Sequence, residues 1–295
     1  MKNFMNKKIL LSLLLLFQFC LAGSLWAASL PYIDKSKIRL SLQPGKQSFG
    51  EITIENPTAD ARTMEVYMED WYYLPACDGS KEFVPPGTGD RSSSTWVSFS
   101  PAKFTISPFG KQRVSYSVKV PAGTQSGGYY SAMFFETTVG ALEAQPGKVT
   151  EAGIDLKVRI ATLFYVEAGP DIVRMGQADN LVVKKSGSGL DIEMDFSNNG
   201  NVDITAGGSF YLMDDRGMVL ARGEFNDLYT FPNDRGKFKA SWAKKVPAGE
   251  YDLVVTLDLG KSLRETEGAR VPLVTKEARV EIDNRGDVIK IGAFR

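Results

Sequence analysis

The chain of 295 residues contains no histidine. Histidine is the side chain that exchanges its proton near neutral pH, and it is the commonest ligand for metal ions. Its absence excludes Ser-His-Asp and Cys-His nucleophile pairs and removes the usual ligands of zinc and copper. Catalysis would have to depend on carboxylates or lysine alone. We therefore predict that the protein is not an enzyme and that it holds no cofactor and no metal.

Cysteine is also scarce, and the charges balance. The chain has two cysteines, 35 basic residues and 35 acidic residues. Cys20 lies in the N-terminal leader described below, so Cys77 alone remains after export and no intrachain disulfide is expected. Cys77 lies in a polar stretch, where we expect an exposed free thiol, with pairing to another chain as the alternative. The balanced charge does not favour nucleic acid or an anionic membrane surface as a partner.

Long apolar runs are absent after the first residues. Lys2, Lys7 and Lys8 precede the apolar run 9–16, and small residues follow up to Ala28. This order is typical of a secretory signal peptide, which we place at residues 1–28. Because no second apolar stretch follows, we expect no stable membrane anchor. The predicted location is the periplasm, with the cell surface as the alternative.

The remaining chain consists of short alternating segments separated by turn residues. Valine, isoleucine, tyrosine, phenylalanine and threonine dominate these segments, and no window keeps a helical period for three turns. Many short strands at a spacing of about ten residues indicate antiparallel sheets in a sandwich. We therefore predict an all-β protein. A polar insertion, Leu74 to Ser94, interrupts the first half.

The second half repeats motifs of the first in the same order. Lys119-Val-Pro-Ala-Gly123 recurs as Lys245-Val-Pro-Ala-Gly249, and the strand ending at Asn56 is matched by one ending at Asn198. Matches in the same order indicate duplicated domains. We predict two Ig-like β-sandwich domains in tandem, at residues 29–169 and 170–295, with a boundary near Gly169-Pro170.

One strand stands out between these domains. Ile154, Leu156, Val158 and Ile160 alternate with charged residues, and an unbroken apolar run, Leu163 to Val166, follows. The alternation predicts a half-buried strand, and the run predicts a strand covered on both faces. The apolar row either packs into the core of its own domain or is offered to another chain.

Two further groups have alternative interpretations. Trp71, Tyr72 and Tyr73 are three consecutive aromatic residues, which either cap a sandwich core or provide a binding platform for a sugar or peptide. The acidic pair Glu69-Asp70 is echoed by Asp214-Asp215. Neither pair has the spaced oxygen ligands of a calcium loop, so we expect these acids to face water.

The first half resembles the PapD-like periplasmic pilus chaperones, which consist of two Ig-like sandwiches set at an angle. The resemblance covers about residues 35 to 170. The family's opening strand is matched by Asp34 to Arg39, and its Pro-x-x-Phe-x-Leu-x-Pro segment by Pro101 to Pro108. The most specific match is Arg159-Ile160 followed by Leu163-Phe164-Tyr165, which is similar to the family's Arg-Ile-Lys-Leu-Phe-Tyr strand end.

This resemblance implies a mechanism and a set of binding residues. The apolar row of the last strand of domain one would be inserted into an incomplete pilin-like subunit, and Ile154, Leu156, Val158 and Ile160 would be that row. Lys37 matches the first of two basic residues that hold the subunit's terminal carboxylate. At the position of the second basic residue this chain has Ala161-Thr162. The implied partners are secreted pilin-like subunits.

A second resemblance gives the alternative function. Ser107-Pro-Phe-Gly-Lys111, Val120-Pro-Ala-Gly123 and Gly127-Gly-Tyr-Tyr130 are similar to turns of WxL-interacting Ig-like surface proteins. This likeness implies an exported interaction or scaffold protein that binds a surface protein or a cell-wall polymer.

Overall fold

The computed structural model describes residues 30–142, 154–263 and 272–295, so the predicted signal peptide lies outside the described residues. Strands form almost all of the regular structure, and the only helical elements in these ranges are two single 3₁₀ turns, Ser94–Trp96 and Lys261–Leu263. The predicted all-β fold with two sandwich domains is confirmed. No helix in the described ranges is long and apolar enough to cross a membrane.

Domain one is built from two facing sheets. One sheet has the strand order β1-β3-β8-β6, and the other has the order β2-β10-β9-β4-β5 with β7 added to β4. The strands are β1 (Tyr32–Ile33), β2 (Lys37–Leu42), β3 (Gln47–Glu55), β4 (Arg62–Tyr73), β5 (Lys81–Val84), β6 (Val97–Ser100), β7 (Lys103–Ile106), β8 (Lys111–Lys119), β9 (Gly127–Leu142) and β10 (Ile154–Ala168).

Domain two also has two sheets. The smaller has the order β11-β12-β16, and the larger has the order β14-β13-β17-β18-β19 with β15 added to β13. The strands are β11 (Gly176–Ser186), β12 (Gly189–Asn198), β13 (Ile204–Met213), β14 (Val219–Glu224), β15 (Leu228–Thr230), β16 (Arg235–Trp242), β17 (Gly249–Asp258), β18 (Leu273–Ile282) and β19 (Val288–Ile291). The domain boundary at Gly169-Pro170 remains our proposal.

Alternating side chains of these strands fill one core in each domain. In domain one, Ile52 and Ile54 of β3 meet Phe135 of β9 and Phe164 of β10, all fully buried. In domain two, Phe196, Phe210 and Phe238 lie in a separate core. In strands such as β8 and β12, the intervening residues are less buried, which is the two-residue period predicted from the sequence.

The structure differs from the predicted antiparallel sheets in one place and adds two features. β2 and β10 pair in parallel, with Lys37 opposite Leu163 and Leu42 opposite Ala168, whereas the other pairs of named strands are antiparallel. The insertion Leu74 to Ser94 is folded, because its β5 extends the sheet next to β4. A short final strand, β19, pairs with β18.

The repeated motifs occupy equivalent positions in the two domains. The side-chain amide of Asn56 donates to the carbonyl of Asp60, four residues on, and Asn198 donates in the same way to Val202. Each asparagine is buried at the end of its strand. The hydroxyl of Tyr129 donates to a carbonyl four residues earlier, and so does that of Tyr251. The same local hydrogen bonds therefore close the same corners of both sandwiches.

An aromatic cluster joins the two domains, and we call this region the junction. Trp71, Tyr73, Tyr130 and Tyr165 project from the outer face of the six-stranded sheet of domain one, and Phe231 of domain two packs on them. Tyr130 and Phe231 stack with ring centroids 3.9 Å apart. The buried rings of Trp71 and Tyr73 are thus part of the contact between the two domains. Neither ring is open to a sugar or peptide.

A largely buried ion pair crosses the junction next to this cluster. Arg39 of β2 donates from both terminal nitrogens to Asp203, at 3.2 and 2.6 Å, and its guanidinium lies 4.2 Å from the ring centroid of Tyr165. Burial alone would lower the pKa of Arg39, but the charge and hydrogen bonds of Asp203 outweigh that effect and raise it. Arg39 therefore stays charged, and its partner residue belongs to the other domain.

The expectation of an exposed Cys77 is wrong. Only 2% of Cys77 is exposed, and it packs against the core of domain two although it belongs to the insertion of domain one. Its backbone carbonyl accepts the N–H of Tyr229 at 2.9 Å. A polar sequence around a cysteine does not reveal such burial, because the covering residues come from a different domain.

Burial raises the pKa of the Cys77 thiol, and only the thiolate reacts rapidly with electrophiles. We therefore expect slow alkylation of Cys77 in the folded protein at mildly alkaline pH and rapid alkylation in concentrated urea. Mass spectrometry of the peptide that contains Cys77 measures both rates. Equal rates in the two conditions would contradict the buried position.

Candidate functional site

The candidate site is the first half of β10. On one side, β10 pairs with β9 along its whole length, from Ile154 to Ala168. On the other side, β2 pairs with it only from Leu163 onward. Within the described residues, no strand pairs with this second side between Ile154 and Thr162. We call this stretch the open edge, because its backbone is available to an added strand.

The direction of the backbone groups along the open edge follows from one hydrogen bond. The N–H of Leu163 donates to the carbonyl of Ser36, on the β2 side. Alternate residues of a strand direct their backbone groups to the same side. The register with β9 is regular from Lys157 onward. Lys157, Arg159 and Ala161 therefore direct their N–H groups to the open edge, and Val158 and Ile160 direct theirs to β9.

The predicted apolar row has graded burial. Leu156 is 60% exposed, whereas Val158 and Ile160 are half-buried, and Ile160 packs against the core of domain one. The strand at Ile154 is described, but its side chain lies outside the described residues. The row is therefore neither fully in the core nor fully free: one end is anchored in the domain and the other projects from it.

Charged pairs cover the opposite face of β10. Lys157 donates to Glu136 at 2.8 Å, and Arg159 donates to Glu69 at 2.9 Å. The guanidinium of Arg159 also lies 4.3 Å from the ring centroid of Phe134. These contacts hold the strand on β9 and β4 from the face that the apolar row does not use.

The β9–β10 hairpin extends beyond the sheet. β4 pairs with β9 only as far as Glu136, so the hairpin continues from Thr137 with two strands. The guanidinium of Arg62 spans the gap to β4 and donates to the carbonyl of Thr138 at 3.3 Å. A register shift at Leu156/Lys157 marks a bulge in this ribbon. The open edge is therefore presented on a projecting ribbon.

Lys37 lies where the open edge ends. It is the first residue of β2, it is exposed, and its ammonium lies 5.4 Å from the ring centroid of Tyr165. The hydroxyl of the neighbouring Thr162 donates to the carbonyl of Lys35 at 2.6 Å. Thr162 therefore closes the edge at this point, and the Ala161-Thr162 position supplies no positive charge next to Lys37.

A second lysine, which the sequence reasoning missed, stands near Lys37. Lys81 of β5 places its ammonium 5.4 Å from the ring centroid of Tyr73 and 5.7 Å from that of Trp71. Burial lowers the pKa of Lys81, and the positive charge of Lys37 lowers it further. No local pattern marks this residue, because it belongs to the polar insertion and reaches the junction only through the pairing of β5 with β4.

The remaining polar candidates have internal partners. Asp70 accepts from the N–H of Gly89 and the hydroxyl of Ser92, and Asp214 accepts backbone N–H groups of its own turn. The described ranges contain no group of three residues suited to hold a metal. A polar groove of about 880 Å³ lies on the outer face of β12 and β16, away from the open edge.

Comparison with known proteins gives structural likenesses only. No family model and no curated protein matches the sequence. Among solved structures, the chain is similar to the class 5 fimbriae chaperone CfaA, with 12% identity, 83% of this chain and 98% of that chain covered, and a TM-score of 0.45. It is also similar to the CupB2 chaperone of Pseudomonas aeruginosa, with 11% identity, 83% and 98% coverage and a TM-score of 0.39. The DraB chaperone of E. coli gives 12% identity, 78% and 93% coverage and a TM-score of 0.38.

Proposed function

We propose that this protein is a non-catalytic, exported chaperone that binds pilin-like secreted subunits by donating β10 to them. The observation that carries the proposal is the open edge between Ile154 and Thr162, next to an apolar row that is only partly buried. A strand added to such an edge gains main-chain hydrogen bonds, and alternate side chains fill pockets of the partner. The binding residues are Ile154, Leu156, Val158 and Ile160 of the row and Lys37 at its end.

The position of β2 limits how a partner strand can lie. Because β2 occupies the edge from Leu163 onward, an added strand must end close to Lys37. A carboxylate at that end of the partner strand would meet the Lys37 ammonium. The proposed location is the periplasm, where such subunits are exported.

The test is recovery of partners by the tagged mature protein from an extract of its native compartment, followed by mass spectrometry. We expect small secreted subunits to be recovered by the parent protein and lost with Leu156→Asp and with Val158→Asp, because a carboxylate cannot enter an apolar pocket unpaired. Leu156→Asp is the more informative variant, since an exposed position costs little stability.

Phe49→Asp is the matched control. Phe49 is 74% exposed, but it lies on β3 in the other sheet of domain one. We expect this variant to recover the same subunits as the parent. Subunits retained by both row variants, or a Leu156→Asp variant that fails to fold, would contradict strand donation.

The second candidate function is an interaction or scaffold role in which the protein binds a surface protein or a cell-wall polymer. The polar groove of domain two favours it, because Asn180, Asp195, Asn226 and Lys237 line that groove with hydrogen-bonding groups. Recovery of wall polymer or of one large surface protein, unchanged by Leu156→Asp, would support this role instead.

A further inference from the structure

The outer edge of β14 in domain two is a second strand edge without a paired strand. β14 lies at the end of the larger sheet of that domain, and among the described strands it pairs with β13 alone. After β14 the chain turns to the other sheet, where the N–H of Asn226 donates to the carbonyl of Lys239. The unpaired edge therefore runs from Val219 to Glu224, and we call it the β14 edge.

One hydrogen bond fixes the direction of the backbone groups of the β14 edge. The N–H of Phe225 donates to the carbonyl of Gly208 on β13, and the register of β14 on β13 is regular in the residues next to this bond. Alternate residues of a strand direct their backbone groups to the same side. Gly223 therefore bonds to β13, whereas Arg222 and Glu224 direct their N–H and C=O groups to the β14 edge.

The side chains of the same two residues carry opposite charges. Arg222 and Glu224 are both exposed, and within the part of the chain that the structure describes neither forms an ion pair. Gly223 between them faces the core, because a Cβ there would lie 2.7 Å from the ring of the buried Phe210. Alternate residues of a strand point to opposite faces, so Arg222 and Glu224 share the outer face. The β14 edge therefore presents one positive and one negative side chain, two residues apart.

This order of charges is complementary to itself when two such strands run antiparallel. With Gly223 opposite Gly223 of a second copy, Arg222 of each copy lies opposite Glu224 of the other. Opposite charges at directly opposite positions stabilise an antiparallel pair. The same register joins the outward N–H and C=O groups of these two residues in hydrogen bonds. A register centred on Arg222 would place two arginines opposite each other, so the charges select the register centred on Gly223.

The end strand of the other sheet of domain two has a different order of charges. β16 carries Arg235, Lys237 and Lys239 at alternate positions, so two copies of β16 would repel each other. Repeated positive charges are a common way in which proteins keep strand edges from pairing. The β14 edge lacks this protection, because its two charges attract those of a second copy.

We propose that the β14 edge pairs antiparallel with the β14 edge of a second copy of this chain, about a two-fold axis at Gly223. Such an interface is isologous, since both copies contribute the same residues. Each copy contributes one short strand, so the interface is small and the dimer is weak. The open edge of β10 belongs to domain one and stays available in both copies. The dimer goes beyond the proposed function and does not depend on it.

The test is sedimentation velocity of the mature protein from about 10 µM to about 1 mM, the range in which small interfaces assemble. We expect a monomer–dimer equilibrium for the parent protein. Arg222→Glu and Glu224→Arg should each weaken the dimer about tenfold, because each variant places like charges opposite each other. An equal mixture of the two variants should restore dimers, because a strand with two acidic residues then lies opposite a strand with two arginines.

Arg216→Glu is the matched control, since Arg216 is exposed in the turn before β14 and the change of charge is the same. We expect it to leave the dimerisation constant unchanged, and we expect the same of Leu156→Asp on the open edge of β10. A parent protein that stays monomeric up to about 1 mM would overturn the proposal. So would two variants that dimerise like the parent, a mixture that stays monomeric, or a dimer that is lost with Leu156→Asp.

Discussion

Replacing Asp203 with alanine is expected to lower the free energy of unfolding by about 3–5 kcal/mol, the usual effect of removing one partner from a buried ion pair. Asp203 is almost completely buried and accepts both terminal nitrogens of Arg39. Without it, the guanidinium remains charged at the junction, and its next acidic neighbour is Glu167 at 3.9 Å. The loss of stability is measured by urea unfolding followed by tryptophan fluorescence. Trp71 reports on the junction, because its ring centroid lies 5.0 Å from that of Phe231 in the other domain.

A matched surface variant and a double variant separate the ion pair from other effects. Asp195 pairs with Lys237 at 2.8 Å, but both side chains are 45% exposed. Asp195→Ala should therefore lower the free energy of unfolding by much less than Asp203→Ala does. Adding Arg39→Met to Asp203→Ala removes the unpaired charge and should restore part of the loss. Strictly additive effects of the two changes would contradict a coupled pair.

The parts of the fold that follow from local sequence were predicted correctly. β10 was predicted from the alternation of Ile154 to Ile160 and the apolar run Leu163 to Val166. Such a prediction is possible because the two-residue period of a strand can be recognised from neighbouring residues. The repeated asparagines that end matching strands are also local features, since each side-chain hydrogen bond spans four residues. Two Ig-like sandwiches could therefore be predicted before any long-range contact was known.

The features at the junction could not be predicted in this way. Arg39 and Asp203 are separated by 164 positions in the chain, and Cys77 is covered by residues of the other domain. No periodicity relates residues so far apart. The parallel pairing of β2 with β10 was missed for the same reason, because it joins the first long strand of domain one to its last.

The candidate site was predicted only in part. The row on β10 and Lys37 came from a local pattern and a motif, and the structure adds that, among the described residues, one edge of the first half of β10 has no paired strand. Lys81 was missed because its importance depends on where β5 attaches. A polar insertion carries no apolar pattern that indicates such an attachment.

Replacing Arg159 with proline is expected to lower the affinity for a partner strand about 100-fold, because the change removes an N–H that points to the open edge and leaves the partner's carbonyl unpaired. Arg159 does not use its N–H toward β9, so the ladder between β9 and β10 is preserved. Proline is tolerated at such edge positions. The measurement is the fluorescence anisotropy of a labelled nine-residue peptide of alternating valine and threonine with a free carboxylate, and thermal unfolding of each variant is recorded in parallel.

Two control variants separate the effect of the lost backbone N–H from the effect of the lost side chain. Arg159→Ala also removes the ion pair with Glu69 but keeps the N–H, so it should retain affinity within about threefold, the scale of an exposed ion pair. Val158→Pro removes an N–H that points to β9 and should destabilise the sheet itself. If Arg159→Ala and Arg159→Pro lose the same affinity, the side chain and not the strand edge is responsible. Loss in the proline variant alone means that the partner adds to β10 through its main chain.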